Sequence, residues 1–185
     1  MIRANIEHYA ASLKCFKGRQ MNKFVPADAL IPEGLVTHNF KARMLTIHDL
    51  VKDYDAVMSS AQHLKGLFGT HDTWPKGLTL EDDLVDLGWH QREFKLRRSF
   101  AYTVMSLDET KCLGCFYIEP SEKVAFEARV ILWVRQSELD TGLEQQLERA
   151  VKQWLKDQWW FSTIAFPGRD LTWSQWDALQ DKVDR

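Results

Sequence analysis

Two segments in the first half of the chain repeat apolar residues at helical spacing. The first stripe runs through Leu50, Tyr54, Val57, Met58, Ala61 and Leu64. The second runs through Leu80, Leu84, Leu87 and Phe94. Thr46 with Asp49, and Thr79 with Asp82, have the spacing of a capping box in front of each stripe. The pattern predicts two amphipathic helices, joined by a loop over the glycine-rich segment 66–77.

Alternating apolar and polar positions predict strands around these helices. Segment 42–47 reads as one strand, and segments 99–107, 112–118 and 124–135, separated by the short turns DETK and PSEK, read as an antiparallel meander. In the last strand one face would carry Phe126, Ala128, Val130, Leu132 and Val134. The other face would carry Glu127, Arg129, Ile131, Trp133 and Arg135.

The last third of the chain predicts a helix, a strand and a short helix. Thr141 and Glu144 form a T-x-x-E capping box before an apolar stripe that ends at Leu155. Segment 160–166 reads as a buried strand, and 172–180 as a final helix. The strand–helix–strand unit 124–166 should hold parallel neighbours with a right-handed crossover. The fold class is therefore α+β: a mixed sheet, made of an antiparallel meander plus a β-α-β unit, flanked by helices.

The chain divides into an N-terminal segment and one domain. Residues 1–41 would form a short amphipathic helix, on Ile2, Ile6, Tyr9 and Leu13, followed by an extended arm over 24–40. Residues 42–185 would form the domain, since 185 residues suit a single core.

Charge and composition narrow the function classes. The chain has 24 Lys+Arg and 26 Asp+Glu, a formal charge of −2, which disfavours a nucleic-acid partner or an anionic membrane surface. The first residues lack the apolar core of a signal peptide, and no apolar run reaches the ~18–20 residues of a membrane helix. Three cysteines cannot all pair internally. We therefore expect a cytoplasmic protein without a disulfide scaffold.

Cys112 and Cys115 form a C-x-x-C pair within a predicted strand. Residues i and i+3 of a regular strand point to opposite faces, so the two cysteines are interpreted as buried structural residues. A zinc site would need further ligands, and the six histidines all precede the meander without metal-binding spacing. We expect no metal site.

Between about Ala42 and Leu179 the chain contains, in this order, the segments RMLTIHD, FAYTVMSLDETKCLGCFYIEP, ILWVR and TGLEQQLERAV. Together these segments resemble the GCN5-related N-acetyltransferase (GNAT) superfamily. The resemblance implies a splay between strands 124–135 and 160–166 that holds acetyl-CoA or another acyl-CoA. The pantetheine arm would bind the backbone near Leu132 and Val134. The pyrophosphate would lie at the following helix N-terminus, by Arg135, Thr141, Gly142 and Leu143.

The phosphate loop departs from the family pattern. Segment 137–142 keeps only Gly142 of the expected glycines. Glu138, Asp140 and Glu144 place three carboxylates near the anion site, and we expect Arg135 and Arg149 to offset them only partly.

The resemblance also implies catalytic and substrate residues. Glu127 would be the general base for the acceptor, a small-molecule amine or a peptide; the alternative is an ion pair with Arg129. His71, Trp74, Trp133 and Arg169 would contact the substrate, or else serve as loop, packing and salt-bridge residues.

The family usually closes its sheet with a β-hairpin whose tyrosine protonates the leaving thiolate, whereas the last tyrosine here is Tyr117. We expect Trp173 and Trp176 to cover that edge or to bury it in a partner of a homo-oligomer. The implied function is N-acyl transfer by direct attack of the amine. The alternative is a non-catalytic GNAT-like protein for ligand binding or assembly.

Overall fold

A six-stranded mixed sheet forms the centre of the computed structural model, which describes residues 24–183. The strands lie side by side in chain order: β1 (Gly34–Val36), β2 (Lys41–Met44), β3 (Phe100–Met105), β4 (Cys112–Pro120), β5 (Ala128–Val134) and β6 (Ile164–Ala165). Neighbours from β1 to β5 are antiparallel, and β6 is parallel to β5. The predicted α+β fold, with its meander and β-α-β unit, is confirmed.

Within residues 24–183, five α-helices flank the sheet. They are α1 (Leu50–Met58), α2 (Ala61–Leu64), α3 (Leu80–Lys95), α4 (Leu143–Gln158) and α5 (Trp173–Asp177). One continuous helix was expected up to Leu64, but the chain breaks after Met58. The Ser60 hydroxyl lies 2.6 Å from the Ala56 carbonyl and accepts the Gln136 N–H at 2.8 Å. The hydrogen bond from Gln136 holds this break in the helix against the segment that follows β5.

Two of the three predicted capping boxes are present. Asp49 accepts hydrogen bonds from the Thr46 N–H and hydroxyl, and a 3-10 turn then leads into α1. Thr79 and Asp82 form the same reciprocal pair at the start of α3. The box predicted for Thr141 and Glu144 is wrong, for two reasons. Gly142 takes the N-cap of α4 with a left-handed φ of 76°, and the Glu144 carboxylate binds Arg169.

The two faces of β5 belong to different cores, as the alternation predicts. Val130 and Leu132 pack in a cluster with Leu147, Val151 and Trp154 of α4. Ile131 and Trp133 pack in a second cluster with residues of α1 and α3. Because β5 is covered on both faces, it lies at the centre of the molecule.

A bulge in β4 overturns one expectation. Val104 pairs with Gly114 and Met105 with Cys112, so Leu113 is an extra residue in the strand. The extra residue turns Cys112 to the same face as Cys115, in the second cluster, while Leu113 packs in the first. The expectation that the two cysteines point to opposite faces is therefore wrong.

The predicted helix over Ile2–Leu13 lies outside the described residues. The arm 24–40 contains the short strand β1, which the sequence did not indicate. The arm is held to the sheet by Tyr102, whose hydroxyl donates to the Pro32 carbonyl at 2.7 Å, and by Trp160, which donates to the Phe24 carbonyl. No helix within residues 24–183 has the length and apolar character needed to cross a membrane.

Both C-terminal tryptophans pack within the chain. Trp176 is 2% exposed, and its indole N–H donates to Glu122 in the turn between β4 and β5. Trp173 is half-buried against Gly168 and the second cluster. Lys123 pairs with Asp181 at 2.7 Å, so the segment after α5 also binds that turn.

Candidate functional site

A gap opens between β5 and β6. The two strands pair only where Ala128 meets Ile164 and Arg129 meets Ala165. β6 then ends at Ala165 whereas β5 continues to Val134, and the place beside this unpaired edge of β5 is called the gap here. The N–H and C=O groups along a strand alternate between its two edges. Since the Arg135 N–H donates to the Leu113 carbonyl next to β4, the backbone groups of Leu132 and Val134 face the gap.

The side chain of Arg169 bridges this gap. It comes from the loop after β6 and donates to the Leu132 carbonyl at 3.1 Å. The same guanidinium binds Glu144 at 2.7 Å and Glu148 at 2.9 Å, both on α4. The strand edge that the resemblance assigns to a pantetheine arm therefore holds an arginine of the chain itself.

Glu148 extends this ion-pair network along α4. It binds Lys152 at 2.8 Å, and Lys152 binds Asp170 at 2.6 Å. Burial opposes ionisation of Glu148, but Lys152 and Arg169 outweigh it and hold its pKa below the ordinary value. Two cations thus alternate with three carboxylates, Glu144, Glu148 and Asp170, beside the gap.

The segment between β5 and α4 forms a 3-10 turn, Gln136–Thr141. Lys111 binds Glu138 at 2.5 Å and, against partial burial, lowers the pKa of that carboxyl. Arg135 instead binds Asp55 and Ser59, each at 3.0 Å. The direct partners of Glu138 and Glu144 are Lys111 and Arg169, and Arg135 adds only a weaker Coulombic contribution at Glu138, as a partial offset predicts.

The first turn of α4 lies beside the gap, because Glu144 there binds the guanidinium that also reaches the Leu132 carbonyl. Gly142 adopts the left-handed conformation that opens the turn, and the Thr141 hydroxyl accepts the Leu143 N–H at 3.2 Å. The remaining first-turn amides and the helix dipole favour a bound anion at such a place. Arg149 lies further along α4, in a shallow depression with Asn39 and Gln146.

Glu127 lies at the opposite end of β5, where β5 and β6 are paired. Its exposed carboxylate accepts the Ser162 N–H at 2.6 Å and the Thr163 N–H at 3.4 Å. The seven residues of β5 separate it from Val134 by roughly 20 Å, at ~3.3 Å a residue. The alternative ion pair with Arg129 is wrong, since Arg129 binds Glu119 and Glu122. The general-base role of Glu127 stays a prediction.

Of the four residues expected at the substrate, only the two tryptophans come together. The rings of Trp74 and Trp133 lie 6.2 Å apart. Trp133 is fully buried and donates its indole N–H to the Tyr117 hydroxyl at 3.3 Å. His71 is exposed in the loop 66–77, and Arg169 lies in the gap. Their substrate roles also stay predictions.

Sequence reasoning missed two groups of residues. Glu144, Glu148 and Lys152 lie four residues apart on one face of α4, a spacing that the sequence shows and that predicts ion pairs. Asp53 lies on the buried side of α1, next to the two cysteines of β4. The sequence signal for this group was the presence of a carboxylate, Asp53, within the apolar repeat that predicts α1.

No protein-family model matches the chain, and no curated protein matches it in sequence. Solved structures do match. The microcin C7 self-immunity acetyltransferase MccE, bound to acetyl-CoA and AMP, matches with a TM-score of 0.56 and 13% identity, over 75% of this chain and 73% of that one. RimL, a ribosomal L7/L12 α-N-protein acetyltransferase bound to CoA, matches with a TM-score of 0.55 and 14% identity, over 68% and 69%.

A ribosomal-protein-S5-alanine acetyltransferase from Vibrio fischeri matches with a TM-score of 0.52 and 15% identity. The chain spans 66% of its length, just under two thirds. A GNAT-family acetyltransferase from Bordetella pertussis matches with a TM-score of 0.50. Identities this low establish the architecture alone. The described part of this chain therefore has the fold of the GNAT acetyltransferases.

Proposed function

We propose that this chain is an acyl-CoA-dependent N-acyltransferase. The observation that carries the proposal is the gap between β5 and β6, which the backbone of Leu132 and Val134 faces beside the N-terminus of α4. The neighbours support it, because MccE was solved with acetyl-CoA and RimL with CoA. The acceptor would be a small amine or a peptide, and the neighbours named for ribosomal proteins favour a peptide N-terminus.

The proposed reaction requires the gap to bind the cofactor and to stabilise one oxyanion. The pantetheine arm would bind the edge of β5, and the pyrophosphate would bind at Gly142 and Leu143. A neutral amine forms a bond to the thioester carbon, and the C–S bond then breaks as CoA leaves as a thiolate. The amine proton passes to solvent. Backbone N–H groups of β5 would stabilise the oxyanion that forms between these two events.

Binding requires Arg169 to leave the Leu132 carbonyl. Its side chain is 19% exposed, so the guanidinium has a route to solvent. Once displaced, it would be available to pair with a phosphate of CoA.

Titration of the full chain with acetyl-CoA and with CoA, by calorimetry, tests the proposal. We expect saturable binding with a micromolar Kd, and acetyl transfer to a panel of amines and N-terminal peptides. Absence of binding at millimolar CoA would overturn it.

A second candidate is a non-catalytic protein that uses the fold for ligand binding or assembly. The bridge from Arg169 to Leu132, Glu144 and Glu148 favours it, because the bridge fills the gap.

The variant Arg169→Ala separates the two candidates. If the gap is closed in the working protein, wild type does not bind CoA and the variant does. If the chain is an acyltransferase, wild type binds and Arg169→Ala changes the Kd by no more than about tenfold, the effect of one surface ion contact. Arg129→Ala is the matched control, since Arg129 also extends from β5 to two glutamates, outside the gap.

A further inference from the structure

Three potential metal ligands meet inside the protein, away from the gap. One ligand atom each from Asp53, Cys112 and Cys115 lies within 4.8 Å of the others, and all three residues are buried. The Cys115 thiol lies 3.4 Å from an Asp53 carboxylate oxygen. The cluster depends on the β4 bulge, which brings both thiols to the face that α1 covers.

The surroundings of the cluster are polar as well as buried. The Thr103 hydroxyl lies 3.6 Å from the Cys112 sulfur and 3.3 Å from the Met105 sulfur. Asp83, on α3, is 2% exposed, and its Oδ2 atom has no hydrogen-bond partner among residues 24–183. The Arg135 guanidinium binds the Cys112 carbonyl at 3.3 Å, and its buried Nε also has no partner in the described part of the chain.

Burying these thiol and carboxyl groups costs free energy unless a cation pairs with their charged forms. The Asp53 carboxyl is 4% exposed and lies against the Cys115 thiol. Buried carboxylates in proteins are normally paired with a cation or bound to a metal. Two thiols and a carboxyl that meet in one buried cluster therefore point to a ligand.

We propose that Cys112, Cys115 and Asp53 bind one Zn²⁺ ion. Zinc takes thiolate sulfur at ~2.3 Å and carboxylate oxygen at ~2.0–2.2 Å in tetrahedral sites, which places ligand atoms roughly 3.5–3.8 Å apart. The ligand atoms lie within 4.8 Å of one another and would close to that spacing on binding. Binding would release the two thiol protons, and any proton on Asp53, to solvent.

Charge favours a divalent ion at this place. Two thiolates and the Asp53 carboxylate carry three negative charges, and Zn²⁺ neutralises two of them, while the Arg135 guanidinium lies against the Cys112 carbonyl. The ion would join α1 to β4, on the face of the sheet that carries Trp133. Its role is structural, because the cluster lies in the second core and the gap lies at the edge of β5.

The test uses the full chain carrying Cys15→Ser, which removes the one cysteine outside the proposed site. The protein is unfolded in guanidinium with a chelator and refolded with or without one equivalent of Zn²⁺. We expect one Zn²⁺ per chain, a Kd below micromolar against a chromophoric competitor, and a raised Tm. Refolding with Co²⁺ should give a thiolate charge-transfer band of the intensity of two sulfur ligands. Refolded protein that retains no Zn²⁺ would overturn the proposal.

Ligand variants locate the ion. Cys112→Ser, Cys115→Ser and Asp53→Asn should each weaken Zn²⁺ binding by at least about 100-fold. Unchanged affinity in all three would overturn the assignment.

If a variant fails to fold, alkylation of the Cys15→Ser protein decides the question. Zn²⁺ should slow the alkylation of both remaining thiols, and a chelator should restore the rate. Equal rates with and without metal, or a Cys112–Cys115 disulfide in protein prepared without reductant, would contradict the site.

Discussion

Gly114 lies where β4 passes against the backbone of β5. A Cβ atom at this position would lie 2.0 Å from the Trp133 carbonyl oxygen and 2.9 Å from the Val134 Cα. Both atoms belong to the backbone, so neither can move aside by a side-chain rotation. A single hydrogen at this position therefore permits the pairing that aligns β5 next to the bulge.

Gly114→Ala should lower the free energy of unfolding by about 2–4 kcal/mol, since the strands would have to separate to admit the methyl group. Chemical denaturation measures this loss. Gly88→Ala is the control, because its Cβ would meet only a side-chain methyl of Ile47, at 3.8 Å. Alanine is the better helix former, so Gly88→Ala in α3 should stabilise the protein by ~0.5–1 kcal/mol. A neutral Gly114→Ala would show that the two strands are not packed this closely.

At the scale of elements, the entry into α1 combines a local signal with a long-range ion pair. Asp49 closes the capping box on Thr46 and also binds Arg43 of β2, with oxygen–nitrogen distances of 2.7 and 3.0 Å. Burial would raise the pKa of Asp49, but Arg43 and Thr46 outweigh burial and lower it. The carboxylate therefore connects the start of a helix to the sheet.

Because the folded state holds the pKa of Asp49 below its unfolded value, this contribution to stability is complete above pH ~4 and is lost as the pH falls through the lower, folded value. Asp49→Asn should cost about 1–2 kcal/mol at pH 7 and flatten the acid limb of the stability curve. Urea unfolding between pH 2 and pH 7 measures both effects. Asp82→Asn, the same capping-box position in α3 bonded to Thr79, should cost less at pH 7. Equal costs would indicate that the Arg43 pair adds nothing.

At the scale of the whole molecule, β5 has two different ends. One end is paired with β6 and carries Glu127. The other opens into the gap, beside Arg169 and the N-terminus of α4. If Glu127 takes part in the proposed reaction, its effect has to reach the gap from the other end of β5, roughly 20 Å away.

Glu127→Gln tests whether Glu127 reaches the reaction. A general base contributes ~10²–10⁴-fold to the rate, so loss of a base would lower kcat by at least that lower figure. Under the predicted base role, kcat should fall by at least about 100-fold while the Tm stays unchanged. If Glu127 only holds the amides of Ser162 and Thr163, kcat should stay within about twofold and the loss should appear in the Tm. Turnover on the acceptor panel, together with a thermal melt, distinguishes the two results, and the second result would overturn the base role.

The sequence by itself determined the order of the elements from β2 to α5, apart from the break after Met58, together with the two faces of β5 and two of the three predicted capping boxes. These features depend on the spacing of apolar residues and on contacts between residues three or four apart, and both can be read from a single sequence. The tertiary structure decided the rest. The bulge at Leu113 places two cysteines beside Asp53, and Arg169 crosses from the end of β6 to α4 and closes the strand edge. Both arrangements depend on partners that are tens of residues apart along the chain. The spacing of apolar residues in a sequence does not show which distant side chain pairs with a buried charge or binds an unpaired carbonyl.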